Sequence, residues 1–173
     1  MASGKGKLAA AVGAAALSIA AVFVPPQEGR SLIAFLDPVG IPTICEGWTR
    51  GVKLGDVATP EQCDALTLKG LHEADAIFSQ WVPESVRAAM PASAYAAFLS
   101  FLYNVGPGGK GVKDGFVWLR SGRHSTMLLK LQAGDVTGAC RQLPFWASAA
   151  GKRLRGLEIR RAKEMELCLS ELN

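Results

Sequence analysis

The strongest hydrophobic pattern lies at the N-terminus. Leu8 to Val24 is seventeen residues without a charge, preceded by Lys5 and Lys7 and built largely from alanine. A bilayer span takes about 20 apolar residues, so this run sits at the short edge of what crosses a membrane. Leu8, Val12, Leu17, Ile19, Val22, Phe23 and Val24 each favour insertion by roughly 0.3–0.6 kcal/mol, and the small residues between them add little. The run therefore enters a bilayer but is held there weakly. Three readings follow: a cleaved signal peptide, a membrane anchor, or a helix buried in the folded protein. The two lysines predict that the N-terminus stays cytoplasmic while the rest is exported. Ser18-Ile19-Ala20 would suit a signal peptidase, although only Pro25, Pro26 and Gln27 then separate the run from Glu28.

Beyond the run, Leu32, Ile33, Phe35 and Leu36 lead into a stretch broken by Pro38, Gly40 and Pro42. The breaks predict a helix that stops near Asp37 and turns back as an extended hairpin. Residues 50–56 read as an exposed, turn-rich strand and loop. Thr59-Pro60-Glu61-Gln62 then predicts a helix start, with a threonine cap, a first-turn proline and a capping-box glutamine. That helix runs to about Gln80, with Ala65, Leu68, Leu71, Ala76 and Phe78 as its apolar positions, and Pro83 ends it. Pro91 to Tyr103 is apolar around most of its surface and belongs in the middle of a bundle. It stops at Asn104-Val105-Gly106-Pro107. In residues 110–123, glycines alternate with apolar residues, which predicts a loop or short hairpin. Phe116 and Trp118 there either widen a binding surface or cover an apolar patch. Ser125 or Thr126 caps a short helix through Leu131, and Asp135 caps another reaching about Leu143. A last helix holds Ile159, Ala162, Met165, Leu167 and Leu169.

The totals narrow the class. At 173 residues the chain is long enough for one self-sufficient core. Hydrophobic residues at 49% and charged ones at 20% exclude a disordered chain. A net charge of +4 favours anionic partners, and both nucleic acid and bacterial cell wall qualify. No zinc finger, RNP motif or basic helix with a heptad tail is present, so a nucleic-acid partner is not expected. His72 and His124 lack cysteine or acidic partners at ligand spacing, so no metal is expected. Cys45, Cys63, Cys140 and Cys168 allow three pairings; none forms a C-x-x-C, which argues against redox catalysis and zinc. An exported chain would oxidise them.

The candidate chemistry lies between Glu28 and Thr49. Asp37 follows Glu28 by nine positions and Thr43 follows Asp37 by six. Glycosidic hydrolysis needs two carboxylates, one to protonate the leaving oxygen and one to handle the far face. In an inverting enzyme a water fits between them, and a hydroxyl such as that of Thr43 helps hold it. Taken alone, such a set is commonly solvated surface. The wider string, however, resembles the phage-type lysozymes, glycoside hydrolase family 24. Their signature is Glu, eight residues, Asp, five residues, Thr, and a glycine-rich hairpin. The chain departs from it at Glu46 and Trp48, where relatives often have an aromatic or small residue and then a histidine.

The resemblance runs from Glu28 to about Leu169 and implies an α+β, lysozyme-like fold with a small N-terminal hairpin lobe and a helical C-terminal lobe. It implies Glu28 as general acid, Asp37 and Thr43 positioning the water, and inversion at the anomeric carbon. The substrate would be the β-1,4 bond between N-acetylmuramic acid and N-acetylglucosamine in peptidoglycan, with no cofactor and a monomeric enzyme. The Tyr103-Asn104 turn is similar to one lining the family's cleft, although a plain helix stop reads equally well. Arg160 and Arg161 end a Gly-Leu-x-x-Arg-Arg motif similar to one in the family; they either reach a cleft or wall carboxylate or begin a solvated helix. The paired cysteines of relatives imply Cys45 with Cys63 and Cys140 with Cys168, each link contributing about 3 kcal/mol.

The N-terminal run is similar to the uncleaved signal-anchor of a subgroup that later leaves the inner membrane for the periplasm. On that likeness, residues 1–25 are a releasable anchor and residues 26–173 the catalytic domain. No cysteine lies within residues 1–44, so control is expected from refolding of the anchor and not from a caging disulfide. Two alternatives stand: a lytic transglycosylase using the glutamate alone, and a tethered wall-binding module without turnover.

Overall fold

The computed structural model describes residues 4–37, 40–149 and 151–172. Its first element, α1 (Gly4–Phe23), is the apolar run. Alanine is the best helix former, so an alanine-rich stretch without proline is helical throughout. Ala9, Gly13, Ala16 and Ala20 are buried, and their spacing of three and four puts them on one face. That face packs on three later helices, α3 (Pro60–Trp81), α4 (Glu84–Ala89) and α5 (Ala92–Val105). Only small residues permit such an approach: a Cβ on Gly13 would sit 3.2 Å from the Tyr95 ring. Ala16, Ala20 and Val24 join the core around Leu71, Phe78 and Phe98. The opposite face is solvated, with Val22 among its exposed residues. The run thus forms one wall of the folded body.

A short helix, α2 (Pro25–Glu28), follows, and Gly29 ends it at a φ of 71°. Here the structure corrects the sequence reading. No helix continues to Asp37; Ser31–Leu36 is a strand, β1. Gly29 breaks the helix, and Ile33 and Phe35 prefer a pleated surface. β1 pairs antiparallel with β2 (Pro42–Cys45), placing Phe35 opposite Thr43 and Ser31 opposite Cys45 across an irregularity. The other edge of β1 takes residues 56–58: Ala34 N–H donates to Asp56 O and Ala58 N–H to Leu32 O, both at 2.9 Å. A second, smaller core of Ala34, Ile44, Cys45 and Cys63 fills this lobe.

The capping box forms at the head of α3, where Gln62 N–H meets the Thr59 hydroxyl and Gln62 Oε1 accepts from Thr59 N–H. α4 was not legible from the pattern. α5 is buried from Ser93 to Leu102, as its uniform apolarity predicts. Residues 107–125 form turns with isolated bridges, Gly109 to Lys113 and Trp118 to His124. Phe116 is fully buried in the main core and Trp118 packs against it, so this segment covers the core. Ser125 caps α6 (Thr126–Gln132) and Asp135 caps α7 (Val136–Cys140). α7 stops three residues short of expectation, and Leu143–Trp146 forms a 3₁₀ turn around Pro144. A two-residue hairpin, β3 (Ser148–Ala149) with β4 (Lys152–Arg153), leads into α8 (Arg155–Leu169). Disulfides join Cys45 to Cys63 and Cys140 to Cys168. The first ties the hairpin lobe to α3, and the second ties α7 to α8.

Candidate active site

Between the hairpin lobe and the helical lobe lies a cleft of about 340 Å³. Glu28, at the end of α2, lines it together with Glu46, Trp48, Glu73, Tyr103 and Asn104. Proline starts α2 and Gly29 stops it, so the glutamate is held at a fixed helix end directly beneath α1. The structure also brings Arg160 to this place. Its Nη1 lies 2.5 Å from Glu28 Oε1, and its Nε lies 3.1 Å from Glu164 Oε1. Arg160 is 4% exposed, so the Arg-Arg motif is no solvated helix start.

The neighbouring arginine supports the cleft from behind. Arg161 is fully buried on α8, and its Nη2 donates to Asn104 Oδ1 at 2.6 Å. Arg161 Nη1 stands 3.0 Å from Glu164 Oε2, close enough to pair but off line for a hydrogen bond. Burial pulls the Arg161 pKa down to about 10, against the upward pull of Glu164. Glu164 also accepts from the Ser100 hydroxyl at 2.7 Å. Two arginines around one buried glutamate thus tie α8 to α5 and to the cleft. The signal for Glu164 was present in the chain: it stands four residues from Arg160 and three from Arg161, on the same helical face.

Three carboxylates line the described part of the cleft, and each faces an arginine. Glu28 faces Arg160, Glu73 faces Arg50 at 2.7 Å, and Glu46 faces Arg30. Glu46 is 2% exposed, and its second oxygen accepts from Thr67 on α3 at 2.9 Å. Its backbone carbonyl accepts from Tyr103 Oη at 3.3 Å. Burial pushes the Tyr103 phenol above its ordinary value. Glu46 is therefore a brace between hairpin, α3 and α5. Glu46 and Trp48 stand where the family pattern breaks; the Glu46 partners Arg30 and Thr67 are 16 and 21 residues away in the chain, too far for spacing to show.

Asp37 and Thr43 share a partner, Ile41. Ile41 N–H donates to Asp37 Oδ1 at 2.8 Å, and the Thr43 hydroxyl donates to Ile41 O at 3.0 Å. Both side chains are thereby keyed to Ile41, Asp37 from just after β1 and Thr43 from within β2. Neither is among the described residues lining the cleft cavity, which Glu28 enters from the helix side. Among the described residues Cys45, Glu46 and Cys63 are the one group of ligand atoms close enough for a metal, but both cysteines are spent in a disulfide.

A hairpin lobe and a helical lobe around a carboxylate-lined cleft define a lysozyme-type glycoside hydrolase. The phage lysozyme family model matches residues 26–164, and the chain belongs to that family. It is 36% identical over 169 residues to the SAR-endolysin of Enterobacteria phage P21, covering 94% of this chain and 93% of the relative. The active form of P1 phage endolysin Lyz superposes with a TM-score of 0.73 at 27% identity, covering 89% of this chain and 85% of that one. The secreted inactive form of Lyz gives a TM-score of 0.51 at 28% identity, covering 72% of this chain and 77% of that one. The chain is a muramidase, a peptidoglycan hydrolase of host-cell lysis.

Proposed function

We propose that Glu28 protonates the glycosidic oxygen between N-acetylmuramic acid and N-acetylglucosamine while Asp37 and Thr43 hold the attacking water, giving inversion at the anomeric carbon. The observation that carries this reading is the placement of Glu28: a carboxylate 17% exposed, at a rigid helix end, inside the cleft and oriented by Arg160. Asp37 and Thr43 sit on the adjoining hairpin, both keyed to Ile41. Tyr103, Asn104, Arg160 and Arg161 position the cleft. Glu28→Gln should abolish release of muropeptides while leaving wall binding and the fold unchanged. Retained hydrolysis by that variant rejects the assignment. A product short of one water would instead establish a lytic transglycosylase.

The N-terminal helix fits a releasable anchor. α1 is 20 residues long with a mean hydropathy of 1.8, and 22% of its most apolar window is buried in the folded body. It is long and apolar enough to cross a bilayer, yet here it is docked beside Glu28. The better superposition on the active form of Lyz than on the inactive one supports reading the docked state as the competent one. In this reading the chain is exported with its N-terminus cytoplasmic, waits in the inner membrane, and assembles its cleft as a periplasmic monomer when α1 escapes and docks. Full-length chain in the soluble fraction, identified by mass after export, is the expected result. A shortened chain there means cleavage, and a chain confined to membranes means a permanent anchor.

A further inference from the structure

The outer face of the hairpin lobe is apolar where a solvated sheet face is ordinarily polar. An antiparallel sheet packed on one side alternates apolar and polar residues along each strand. In β1, Ala34 belongs to the small core of the lobe, so Ile33 and Phe35 take the opposite face. Val57, on the neighbouring segment, stands opposite Ile33. Ile33 is 61% and Val57 72% exposed, Phe35 is exposed as well, and none of the three belongs to either core. Leu36 and Ile41, also exposed, lie at the far end of the hairpin, where Asp37 N–H donates to Ile41 O at 3.0 Å. Clustered apolar surface of this kind marks a contact with something outside the molecule.

The chain itself limits what lies within reach. Residues 24–32 separate the end of α1 from Ile33, an extended reach of about 35 Å at most. While α1 is in the bilayer, this face is therefore never much farther from lipid than one membrane thickness. A tether of that length gives an effective concentration on the millimolar scale, so a patch too weak to bind lipid from bulk solution is still held there. The charged residues beside the face, Asp37, Lys53 and Asp56, bring no net positive charge. Attraction to anionic headgroups therefore plays no part, and apolar contact is what recognises the surface.

We propose that Ile33, Phe35 and Val57 form a lipid-contact face that lays the hairpin lobe on the membrane while α1 is inserted. The proposal rests on α1 being a releasable anchor, as proposed above. The contact holds the hairpin of Asp37 and Thr43 against lipid and away from the wall. Once α1 leaves the bilayer the tether is gone, and the face alone is too weak to keep the protein there.

The test mixes full-length soluble protein with phosphatidylcholine vesicles at millimolar lipid and sediments them. Wild-type protein should partition onto the vesicles to the same extent at low and high salt, and the Ile33→Thr/Val57→Thr variant should partition about ten-fold less. Threonine suits an exposed strand, so the variant should match wild type in its unfolding midpoint and in its rate on isolated peptidoglycan. Equal partition of the two proteins overturns the proposal, whether both bind or neither does. Self-association of the wild type that the same substitutions abolish also overturns it, in favour of a second copy on this face. Val57→Trp separates the face from α1 as the lipid contact: lipids brominated in their acyl chains should quench the added indole, and no added quenching overturns the proposal. Failure of the anchor reading appears elsewhere, as a shortened chain in cell fractions, which the vesicle comparison on full-length protein cannot produce.

Discussion

Glu164 illustrates how few side chains hold the cleft's back wall. Its carboxylate is fully buried and meets Arg160, Arg161 and Ser100. Removing one member of such a buried set leaves uncompensated charge, which costs about 3–5 kcal/mol. Glu164→Gln should therefore lower stability by that amount in denaturant unfolding. It should also loosen Arg160 from Glu28, so residual folded protein should lyse cells more slowly. Thr59→Ala is a milder case at the same scale. It removes the hydroxyl that caps α3 and should cost about 1 kcal/mol, with lytic activity of the folded protein unchanged.

At the scale of elements, the proposed release would give α1 two environments to satisfy with one face of small residues. Gly13→Leu places a branched side chain where even a Cβ would be 3.2 Å from Tyr95, and leucine also favours the bilayer. Both effects act in one direction. The variant should stay in the membrane fraction and lyse late. Val22→Ala lies on the exposed face and weakens insertion without touching the docked contact, so it should release early. Fractionation with lysis timing reads both. A Gly13→Leu chain released as readily as wild type rejects the docking role of this face. The Cys45–Cys63 link closes the hairpin against α3, and replacing both by serine should cost on the order of 3 kcal/mol.

The elements that announced themselves in the sequence did so through local chemistry. The capping box at Thr59, the uniformly apolar α5 and the caps at Ser125 and Asp135 are decided within a few residues. The misread stretch, Ser31–Leu36, is decided by Gly29 on one side and by pairing with residues 42–45 and 56–58 on the other. That pairing is tertiary and leaves little local trace. The same holds for the site. Glu28, which lines the cleft, stood out through its spacing to Asp37 and Thr43, which are not among the described lining residues, and Arg160 through a motif with two readings. Its contact with Glu28 spans 132 positions, and only folding brings the two together.

At the scale of the molecule, both tyrosines report on assembly. Burial raises the Tyr95 phenol well above its ordinary value, with the hydrogen bond to Asp75 adding to it, and burial also raises Tyr103. A phenol raised in the folded state stabilises folding below its unfolded value of about 10, and that contribution is lost as pH climbs beyond it. Ultraviolet titration should therefore show neither tyrosine ionising at its ordinary pH. Their ionisation should coincide with loss of structure at more alkaline pH. A simple titration near 10 in folded protein would contradict the described packing.

The seat beneath α1 has a further consequence. Where the helix lies, the body presents His72, Asp75, Ser79, Glu84, Arg87 and Tyr95 among small apolar side chains of α1. The Tyr95 hydroxyl already donates to Asp75 at 2.6 Å without help from α1. The other end of the berth is the main core, where Ala16, Ala20 and Val24 of α1 meet Leu71, Phe78 and Phe98. A chain tethered with its first helix in lipid would therefore bare a seat that is polar at one end and greasy at the other, and it should be prone to clump until its mooring slips and the helix covers that patch.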